Sequence, residues 1–257
     1  MSRLCARGLS LGYGDRLVVE GLDLEVPHGA FTAIVGPNAC GKSTLLRSLV
    51  RLQPARAGVI ELDGRPIDAW RGKDVARELG FLPQSATSPE GIRVEALVRR
   101  GRYAHQSMLG VWNPADETAV EQAMAAAGVA ELADRLLAEL SGGQRQRVWI
   151  AMVLAQETPY LLLDEPTTFL DIAHQYDLLR LLRGLVEEGR TVVTVLHDLN
   201  QACRFADHVV AMRQGRVVAR GTPAEVVTAG VVEEVFGMES VIVPDPVTGT
   251  PMVVPAH

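Results

Sequence analysis

A glycine-rich segment between an apolar run and a helix-like run constrains the fold of this chain most. Residues 30–35 are almost wholly apolar, residues 36–44 read GPNACGKST, and residues 45–52 have the apolar spacing of a helix. Short apolar runs of this kind are typical of strands that are buried on both faces, as in parallel sheets. A strand, a loop and a helix in succession form the repeating unit of α/β proteins. We therefore predict an α/β fold that is built on a parallel sheet.

The glycine-rich segment has the spacing of a phosphate-binding loop, Gly36-x-x-x-x-Gly41-Lys42-Ser43. Glycines let backbone N–H groups converge on phosphate oxygens, and the following helix adds the positive end of its dipole. Lys42 is expected to reach the β- and γ-phosphates of a nucleotide, and Ser43 to bind Mg²⁺. Because Lys42 and Lys73 are the chain's two lysines, composition alone rarely produces this pattern.

Two residues inside the loop carry expectations of their own. Ala39 stands where many phosphate-binding loops have glycine, so a positive φ at this position would cost about 1 kcal/mol. Cys40 lies within the cradle, so we expect a thiol reagent to block nucleotide binding and bound nucleotide to protect the thiol.

Polar side chains follow two further apolar runs. Residues 160–163 lead into Asp164 and Glu165, and residues 191–196 lead into His197. Ligands of parallel α/β sheets bind beyond the carboxyl ends of the strands. Asp164 is expected to hold Mg²⁺ through water, and Glu165 to orient and deprotonate an attacking water. Two acids after a strand also suit ordinary loop solvation, but the phosphate-binding loop favours the hydrolytic interpretation.

The remaining segments suggest elements around this sheet. Residues 22–26 alternate apolar and acidic residues, which predicts a strand of an N-terminal antiparallel sheet. Residues 85–140 have a helical pattern, and residues 209–220 suggest a hairpin around Arg213-Gln214-Gly215. The tail, residues 241–255, is apolar but interrupted by prolines, which leaves a small hairpin or an edge strand as alternatives.

A second glycine-rich segment, Leu140-Ser141-Gly142-Gly143-Gln144, precedes another helix-like run. Ser141 can cap that helix, and the glycines would let a phosphate approach its positive end. Together with residues 36–44, this segment makes most of the chain resemble the ATP-binding cassette (ABC) family. Guanine-specific switches instead carry an Asn-Lys-x-Asp motif, in which neither lysine lies.

The resemblance implies a fold and a domain organisation. The expected fold is α/β, with a P-loop NTPase (RecA-like) core, an N-terminal antiparallel β subdomain and an inserted α-helical subdomain. Residues 1–257 would form a single ABC ATPase domain. Residues 1–84 and 157–257 would supply the antiparallel sheet and the catalytic core, and residues 85–156 the helical subdomain with the signature segment.

The resemblance also implies roles for the other site residues. His197 would hydrogen-bond the γ-phosphate, Gln84 would contact Mg²⁺ and the lytic water, and Asp171 would communicate across a dimer. Tyr13 would stack on adenine, although packing on the sheet is the competing interpretation. The implied ATP-contacting residues are Tyr13, Gly36, Pro37, Asn38, Ala39, Cys40, Gly41, Lys42, Ser43 and Thr44, with Ser141, Gly142, Gly143 and Gln144 contributed by the opposite subunit. The implied Mg²⁺ contacts are Ser43, Gln84 and Asp164.

Composition limits the possible surroundings. The net charge of −6 provides no general affinity for nucleic acid, and no apolar run approaches the ~18–20 residues that span a bilayer. Three scattered cysteines (Cys5, Cys40, Cys203) and the lack of a signal-peptide pattern suit a reducing compartment. We expect a peripheral position on the cytoplasmic face of a membrane.

The ABC family includes transporter subunits, ATPases of translation or DNA maintenance, and scaffolds without catalysis. A translation or DNA-maintenance ATPase would carry two cassettes or a long heptad insertion, and a non-catalytic scaffold would lack Glu165 or His197. Neither description fits, so the transporter subunit is favoured, with ATP and Mg²⁺ as cofactors. The implied partners are a second copy, integral-membrane permease subunits and, indirectly, a substrate-binding protein, with no nucleic acid.

Three stretches refine the transporter class by resemblance. Residues 98–103, 148–152 and 167–172 are similar to those of iron-siderophore importers, and haem or vitamin B12 import is the alternative. The arginines in the first stretch, Arg99, Arg100 and Arg102, form either a solvated charged face or a contact with the membrane partner.

Overall fold

A computed structural model describes residues 3–106 and 112–256. Within these ranges the chain forms twelve strands and nine α-helices. The strands are β1 (Leu4–Tyr13), β2 (Arg16–Val26), β3 (Phe31–Val35), β4 (Ala57–Leu62), β5 (Arg65–Pro66), β6 (Leu79–Leu82), β7 (Tyr160–Asp164), β8 (Thr191–Val195), β9 (His208–Arg213), β10 (Arg216–Gly221), β11 (Ser240–Pro244) and β12 (Pro251–Pro255). The helices are α1 (Lys42–Leu49), α2 (Gly72–Glu78), α3 (Val94–Arg99), α4 (Pro114–Ala126), α5 (Gly142–Leu154), α6 (Ile172–Glu187), α7 (Leu199–Phe205), α8 (Pro223–Val226) and α9 (Ala229–Phe236). No helix in the described ranges is both long and apolar enough to cross a membrane.

A six-stranded sheet forms the centre of the molecule, with the order β10-β9-β3-β8-β7-β6. Strands β3, β6, β7, β8 and β9 run parallel, and β10 joins the edge in the antiparallel sense. Every residue of β3, β7 and β8 is buried, as expected of strands that are covered on both faces. The predicted parallel α/β core is confirmed. Its topology places the carboxyl ends of β3, β6, β7 and β8 at one edge.

A second sheet is antiparallel, with the order β2-β1-β4-β5. It contains the predicted strand over residues 22–26 and packs over α1, whose residues Leu45, Leu46 and Leu49 are completely buried. The helix after the glycine-rich loop is thereby held between two sheets, which keeps the loop in a constant position relative to the strand ends.

Helix α1 does not follow the predicted span of residues 45–52. It begins at Lys42, because Gly41 at φ 106° is its N-cap and the last loop residues are its first turn. It ends at Leu49, and Arg51 then adopts a left-handed φ of 61°. The apolar pattern showed the buried face of the helix but not its polar first turn.

Helices α3, α4 and α5 pack together against one face of the parallel sheet. Asn113 caps α4 through a capping box, and Pro114 is its first residue. Gly128, two residues beyond the end of α4, has a φ of 63°. Much of the segment over residues 85–140 consists of turns and short 3-10 helices rather than long helices.

The arginines of residues 99–102 do not form one charged face. Arg102 is buried and forms ion pairs with Asp116 at 2.9 Å and Glu157 at 2.7 Å. Arg99 pairs with Glu117 at 2.8 Å, and its guanidinium lies 4.6 Å from the ring centroid of Trp112. Both alternatives for this cluster are therefore wrong for Arg102, which joins the turn after α3 to helix α4 and to the segment between α5 and β7.

The C-terminal part contains two hairpins. Gln214 and Gly215, both at positive φ, form the turn between β9 and β10, as predicted. Strands β11 and β12 pair with one another as a separate two-stranded sheet that packs on α7. Of the two alternatives for the tail, the structure shows the hairpin.

Candidate active site

A cleft of about 570 Å³ opens at the edge where β3, β6, β7 and β8 end. Each of these strands contributes a residue to its wall through the loop that follows it. The lining residues are Tyr13, Arg16, Val18, Asn38, Ala39, Gly41, Lys42, Ser43, Thr44, Gln84, Glu165 and His197. Ten of the residues predicted from the sequence thus meet at one cleft, although they come from five separate parts of the chain. Gly36, Pro37, Cys40 and Asp164 do not line the cleft.

The glycine-rich loop folds around the side chain of Lys42. The Lys42 Nζ, in a residue only 4% exposed, donates hydrogen bonds to the carbonyl oxygens of Gly36 at 2.9 Å and Pro37 at 2.8 Å. Carbonyl oxygens satisfy the ammonium donors without cancelling their charge. The loop therefore presents a positive charge at the amino end of α1, which favours an anionic ligand.

Two backbone positions explain the composition of the loop. A Cβ at Gly36, whose φ is 151°, would lie 2.2 Å from the carbonyl oxygen of Met212, so that β9 leaves room for glycine alone. Ala39 has a φ of 59°, as expected for the position where other loops carry glycine. The alanine costs about 1 kcal/mol in this conformation, and its neighbours hold it there.

Ser43, in the first turn of α1, contacts Asp164, the last residue of β7. The Ser43 hydroxyl donates to Asp164 Oδ1 at 2.8 Å, and Asp164 is completely buried. Burial disfavours the charged carboxylate and raises the pKa of Asp164. Its Oδ2 atom has no hydrogen-bond partner in the described part of the chain. An orphaned carboxylate oxygen beside a serine hydroxyl fits a hard divalent cation such as Mg²⁺, which prefers oxygen ligands.

Glu165 lies at the centre of a cluster of three predicted catalytic residues. Its Oε2 accepts a hydrogen bond from Gln84 Nε2 at 2.7 Å, and its Oε1 lies 2.7 Å from His197 Nε2. The carboxylate is only 11% exposed, and its backbone has a φ of 54°, which is unusual for a side chain of this size. Strained residues often occur at functional sites, where surrounding contacts hold them in place.

The open end of the cleft contains one predicted residue and two that sequence reasoning missed. Tyr13 is half-exposed there and lines the cleft, which is compatible with the predicted stacking on adenine. Arg16, its cross-strand neighbour, and Val18 line the same wall. The pairing of β1 with β2 shifts register beside Val18, which changes the direction in which these side chains point. The alternation of apolar and polar residues in the sequence does not reveal such a shift.

Cys40 is a buried residue of the phosphate-binding loop. Its side chain is 5% exposed, and burial raises the pKa of the thiol. A thiol reagent acts on an accessible thiolate, and this cysteine is neither accessible nor readily ionised. The structure therefore predicts slow modification of Cys40, and the blocking of nucleotide binding by a thiol reagent stays a prediction.

A second concave surface of about 430 Å³ shares no lining residue with the cleft. Ser141 caps α5 there: its hydroxyl accepts from the Gln144 N–H at 3.2 Å, and Gln144 Oε1 accepts from the Ser141 N–H at 3.1 Å. Asp171 caps α6, and the hydrogen bond from the His174 N–H lowers the pKa of its carboxyl. We call this surface the signature face; it consists of Ser141, Gly142, Gly143, Gln144, Arg147, Phe169, Leu170, Asp171 and His174.

The parallel sheet, the lysine inside a glycine-rich loop and the acidic strand end define a P-loop NTPase. The family model described as "ABC transporter" matches residues 19–168, and the chain belongs to this family. Its solved relatives share the mixed fold of a parallel sheet, an antiparallel sheet and helices. The protein is therefore an ABC ATPase, which binds and hydrolyses ATP.

Several relatives are similar to this chain over almost its entire length. The ferric enterobactin transport ATP-binding protein FepC of Escherichia coli (strain K12) is 56% identical over 99% of this chain and 94% of the relative. The siderophore transport system ATP-binding protein YusV of Bacillus subtilis (strain 168) is 51% identical over 99% and 93%. The hemin import ATP-binding protein HmuV of Streptomyces coelicolor is 45% identical over 97% and 89%.

Solved structures agree with the fold. A metal-chelate type ABC transporter in an inward-facing conformation aligns with a TM-score of 0.84 and 28% identity, over 100% of this chain and 98% of that one. The dimeric cassette MJ0796 aligns with a TM-score of 0.77 and 26% identity, over 85% and 98%. The likeness thus includes the C-terminal hairpin in the first structure.

Proposed function

We propose that this protein is the ATP-hydrolysing subunit of an importer that takes up an iron-siderophore complex. The observation that carries the proposal is the identity of more than 50%, over nearly the whole chain, with two relatives named for siderophore transport. The assembled cleft supports the hydrolytic part, because it joins a phosphate-binding loop to a clustered acid, amide and imidazole.

Within the cleft we propose separate roles for the clustered residues. Lys42 would exchange its carbonyl partners for β- and γ-phosphate oxygens. Glu165 would orient the attacking water and accept its proton, while His197 would hydrogen-bond the γ-phosphate. Gln84, which holds one oxygen of Glu165, would contact the same water. Tyr13 would stack on adenine.

Mg²⁺ would be held by Ser43, Asp164 and Gln84, where it would compensate phosphate charge. Asp164 is suited to this role because one of its buried oxygens lacks a partner. The remaining loop residues would contact ATP through backbone N–H groups. Those residues are Gly36, Pro37, Asn38, Ala39, Cys40, Gly41 and Thr44.

The signature face would complete the cleft of a second copy. We propose that residues 141–144 contact the ATP held by the partner and that Asp171 senses its occupancy, which gives a homodimer with two nucleotides. Residues 85–156 would act as a helical subdomain on the core of residues 1–84 and 157–257. The dimer would bind permease subunits at the cytoplasmic face of the membrane, and a substrate-binding protein would deliver the chelate.

Haem import is the second candidate, because a relative named for hemin import is 45% identical over 97% of the chain. The ATPase subunit does not itself contact the cargo in this scheme. The membrane and binding-protein subunits therefore decide between the two.

The test is reconstitution of the protein with its co-purified permease subunits in liposomes. Binding protein loaded with a ferric siderophore should stimulate ATP hydrolysis and uptake of the chelate, and haem-loaded binding protein should not. Stimulation by the haem-loaded binding protein, with none by the siderophore-loaded one, would favour haem import over siderophore import. Hydrolysis that responds to no loaded binding protein would contradict the importer function.

A further inference from the structure

The C-terminal hairpin, β11 and β12, packs against the helix that follows His197. This helix, α7, begins two residues later, and Asp198 caps it by accepting hydrogen bonds from the N–H groups of Asn200 at 2.7 Å and Gln201 at 3.1 Å. The imidazole of His197 in turn contacts the carboxylate of Glu165. A displacement of α7 would therefore move the imidazole relative to that carboxylate.

A polar side chain of α7 joins the helix to β12. The Asn200 Oδ1 atom accepts a hydrogen bond from the Val253 N–H at 2.7 Å, and its Nδ2 donates to the Val253 carbonyl at 3.3 Å. The amide thus satisfies both backbone groups of one strand residue, as a neighbouring strand would. One turn later, Arg204 forms an ion pair with Asp245 at 3.0 Å.

The hairpin turn that carries this ion pair is itself held by hydrogen bonds. Asp245 Oδ1 accepts from the N–H groups of Val247 at 2.8 Å and Thr248 at 3.1 Å. These backbone bonds, together with Arg204, keep the pKa of the Asp245 carboxyl below its usual range. The partner of Arg204 is therefore charged and fixed in position at neutral pH.

Apolar packing fills the space between the hairpin and α7. A small cluster separate from the two larger cores joins the helix to β12 and to α9. Its buried members are Cys203, Val227, Val232 and Val253. The hairpin therefore contacts α7 through an apolar interior as well as through its polar edge.

A further link joins α7 to the loop that follows β7. Gln201, only 4% exposed, donates from Nε2 to Gln175 Oε1 at 2.7 Å. Gln175 donates from its own Nε2 to the carbonyls of Leu170 at 3.0 Å and Thr167 at 3.4 Å. Helix α7 therefore connects the hairpin to both sides of the contact between Glu165 and His197. His197 lies just before the start of α7. Through Gln201 and Gln175, α7 also contacts the loop that follows Glu165.

We propose that the C-terminal hairpin positions the hydrolytic cluster, and that Asn200 is the positioning residue through which it holds α7 and His197. The inference rests on the hydrolytic roles proposed above for Glu165 and His197. Asn200 does not line the cleft, so its effect is transmitted through the helix. Displacements of about 1 Å in a catalytic group can cost two orders of magnitude in rate, so a loosened helix has a measurable effect.

The experiment uses the purified full-length chain and compares Asn200→Ala and Asn200→Asp with Thr248→Ala. Asn200→Ala removes both bonds to Val253, and we expect kcat to fall about tenfold while KM and ATP affinity stay unchanged. Asn200→Asp keeps the acceptor for the Val253 N–H, so its loss should be smaller. Thr248 shares its hydroxyl hydrogen bond with Thr250 inside the turn, so Thr248→Ala should keep the wild-type kcat.

The second measurement separates positioning from general stability. In ¹³C-histidine NMR spectra, the resonance of His197, assigned with a His197→Gln variant, should shift in Asn200→Ala and remain unchanged in Thr248→Ala. A wild-type kcat and an unshifted His197 resonance in Asn200→Ala would overturn the inference, even if the melting temperature fell. Should that variant not fold, the same two readouts in Asn200→Asp decide. A wild-type chain without ATP hydrolysis would instead contradict the proposed function.

Discussion

The cleft and the signature face differ in how far one chain completes them. In the cleft, Lys42, Ser43 and Glu165 are already held by loop carbonyls, a buried carboxylate and two neighbouring side chains. On the signature face, the helix is capped, but its surroundings are open: Phe169 is 72% exposed and Ile172 is 76% exposed. In the function proposed above, one chain would build the groups that carry the chemistry. A partner would supply the surface that closes over the nucleotide.

Replacing the acid of the cleft gives the largest expected effect. In Glu165→Gln the side chain keeps its shape but no longer accepts a proton, so kcat should fall by about 10³-fold, within the range for a lost general base. ATP binding should persist, and the variant should accumulate as a dimer in size-exclusion chromatography with ATP. Glu188→Gln, at the exposed end of α6, is the matched control. Turnover in Glu165→Gln at the wild-type rate would remove the general-base role.

Complementation tests whether the signature face belongs to the partner's site. Lys42→Ala disables the cleft and Ser141→Arg blocks the face, so each variant alone should lose ATPase activity about 100-fold. A mixed dimer retains one site in which both surfaces are intact. Equal mixtures should therefore recover up to about a quarter of the wild-type activity. No recovery, in mixtures shown to contain mixed dimers, would mean that each chain completes its own site.

Arg16 tests the open end of the cleft. Besides Lys42, Arg16 is the other Lys or Arg residue that lines the cleft. Arg16→Ala should weaken binding of ATP and ADP about three- to tenfold, with adenosine binding unchanged, because the lost contact is to phosphate. Arg180→Ala, an exposed arginine on α6, is the control in the same calorimetric titration. An equal loss for adenosine would place the contact at the base instead.

Replacing Asp164 has the smallest expected effect, which is a change in the melting temperature. Burial raises the pKa of Asp164 in the folded chain. At pH values above this raised pKa, the buried ionised carboxylate lowers the free energy of unfolding. This cost disappears as the pH falls through the raised pKa towards 3.8, the ordinary value for an aspartate. Without Mg²⁺ or nucleotide, Asp164→Asn should therefore melt about 2–4 °C higher near neutral pH. The difference should shrink on acidification and reverse when MgATP is added, since only the wild type can bind the cation tightly. A lower melting point at neutral pH without ligands would contradict the burial cost.

The strands that build the cleft were predictable because a buried parallel strand has a plain apolar signature. Residues 30–35, 160–163 and 191–196 were each placed within a residue or two of β3, β7 and β8. Helix ends were less predictable: α1 begins at Lys42 because a loop residue at positive φ caps it. The segment over residues 85–140 was expected to be more helical than it is, since isolated propensity does not reveal turns that are stabilised by tertiary packing.

Side-chain partners were decided by the tertiary structure. The sequence shows three arginines close together, but burial of Arg102 beside Asp116 depends on how α4 crosses the preceding turn. Cys40 looked accessible in the sequence, yet the loop turns its thiol inward. The bond between Asn200 and Val253 joins residues 53 positions apart, a distance at which no local pattern carries information.

The sequence by itself determined the class of chemistry, because a phosphate-binding loop, an acidic strand end and a signature segment each require particular residues at short, local spacings. The tertiary structure decided which of these groups meet. It brings Gln84, Glu165 and His197 together through the order of β6, β7 and β8 in the sheet, and keeps the signature face apart from them. Local spacing specifies a motif, but strand order and packing specify its neighbours.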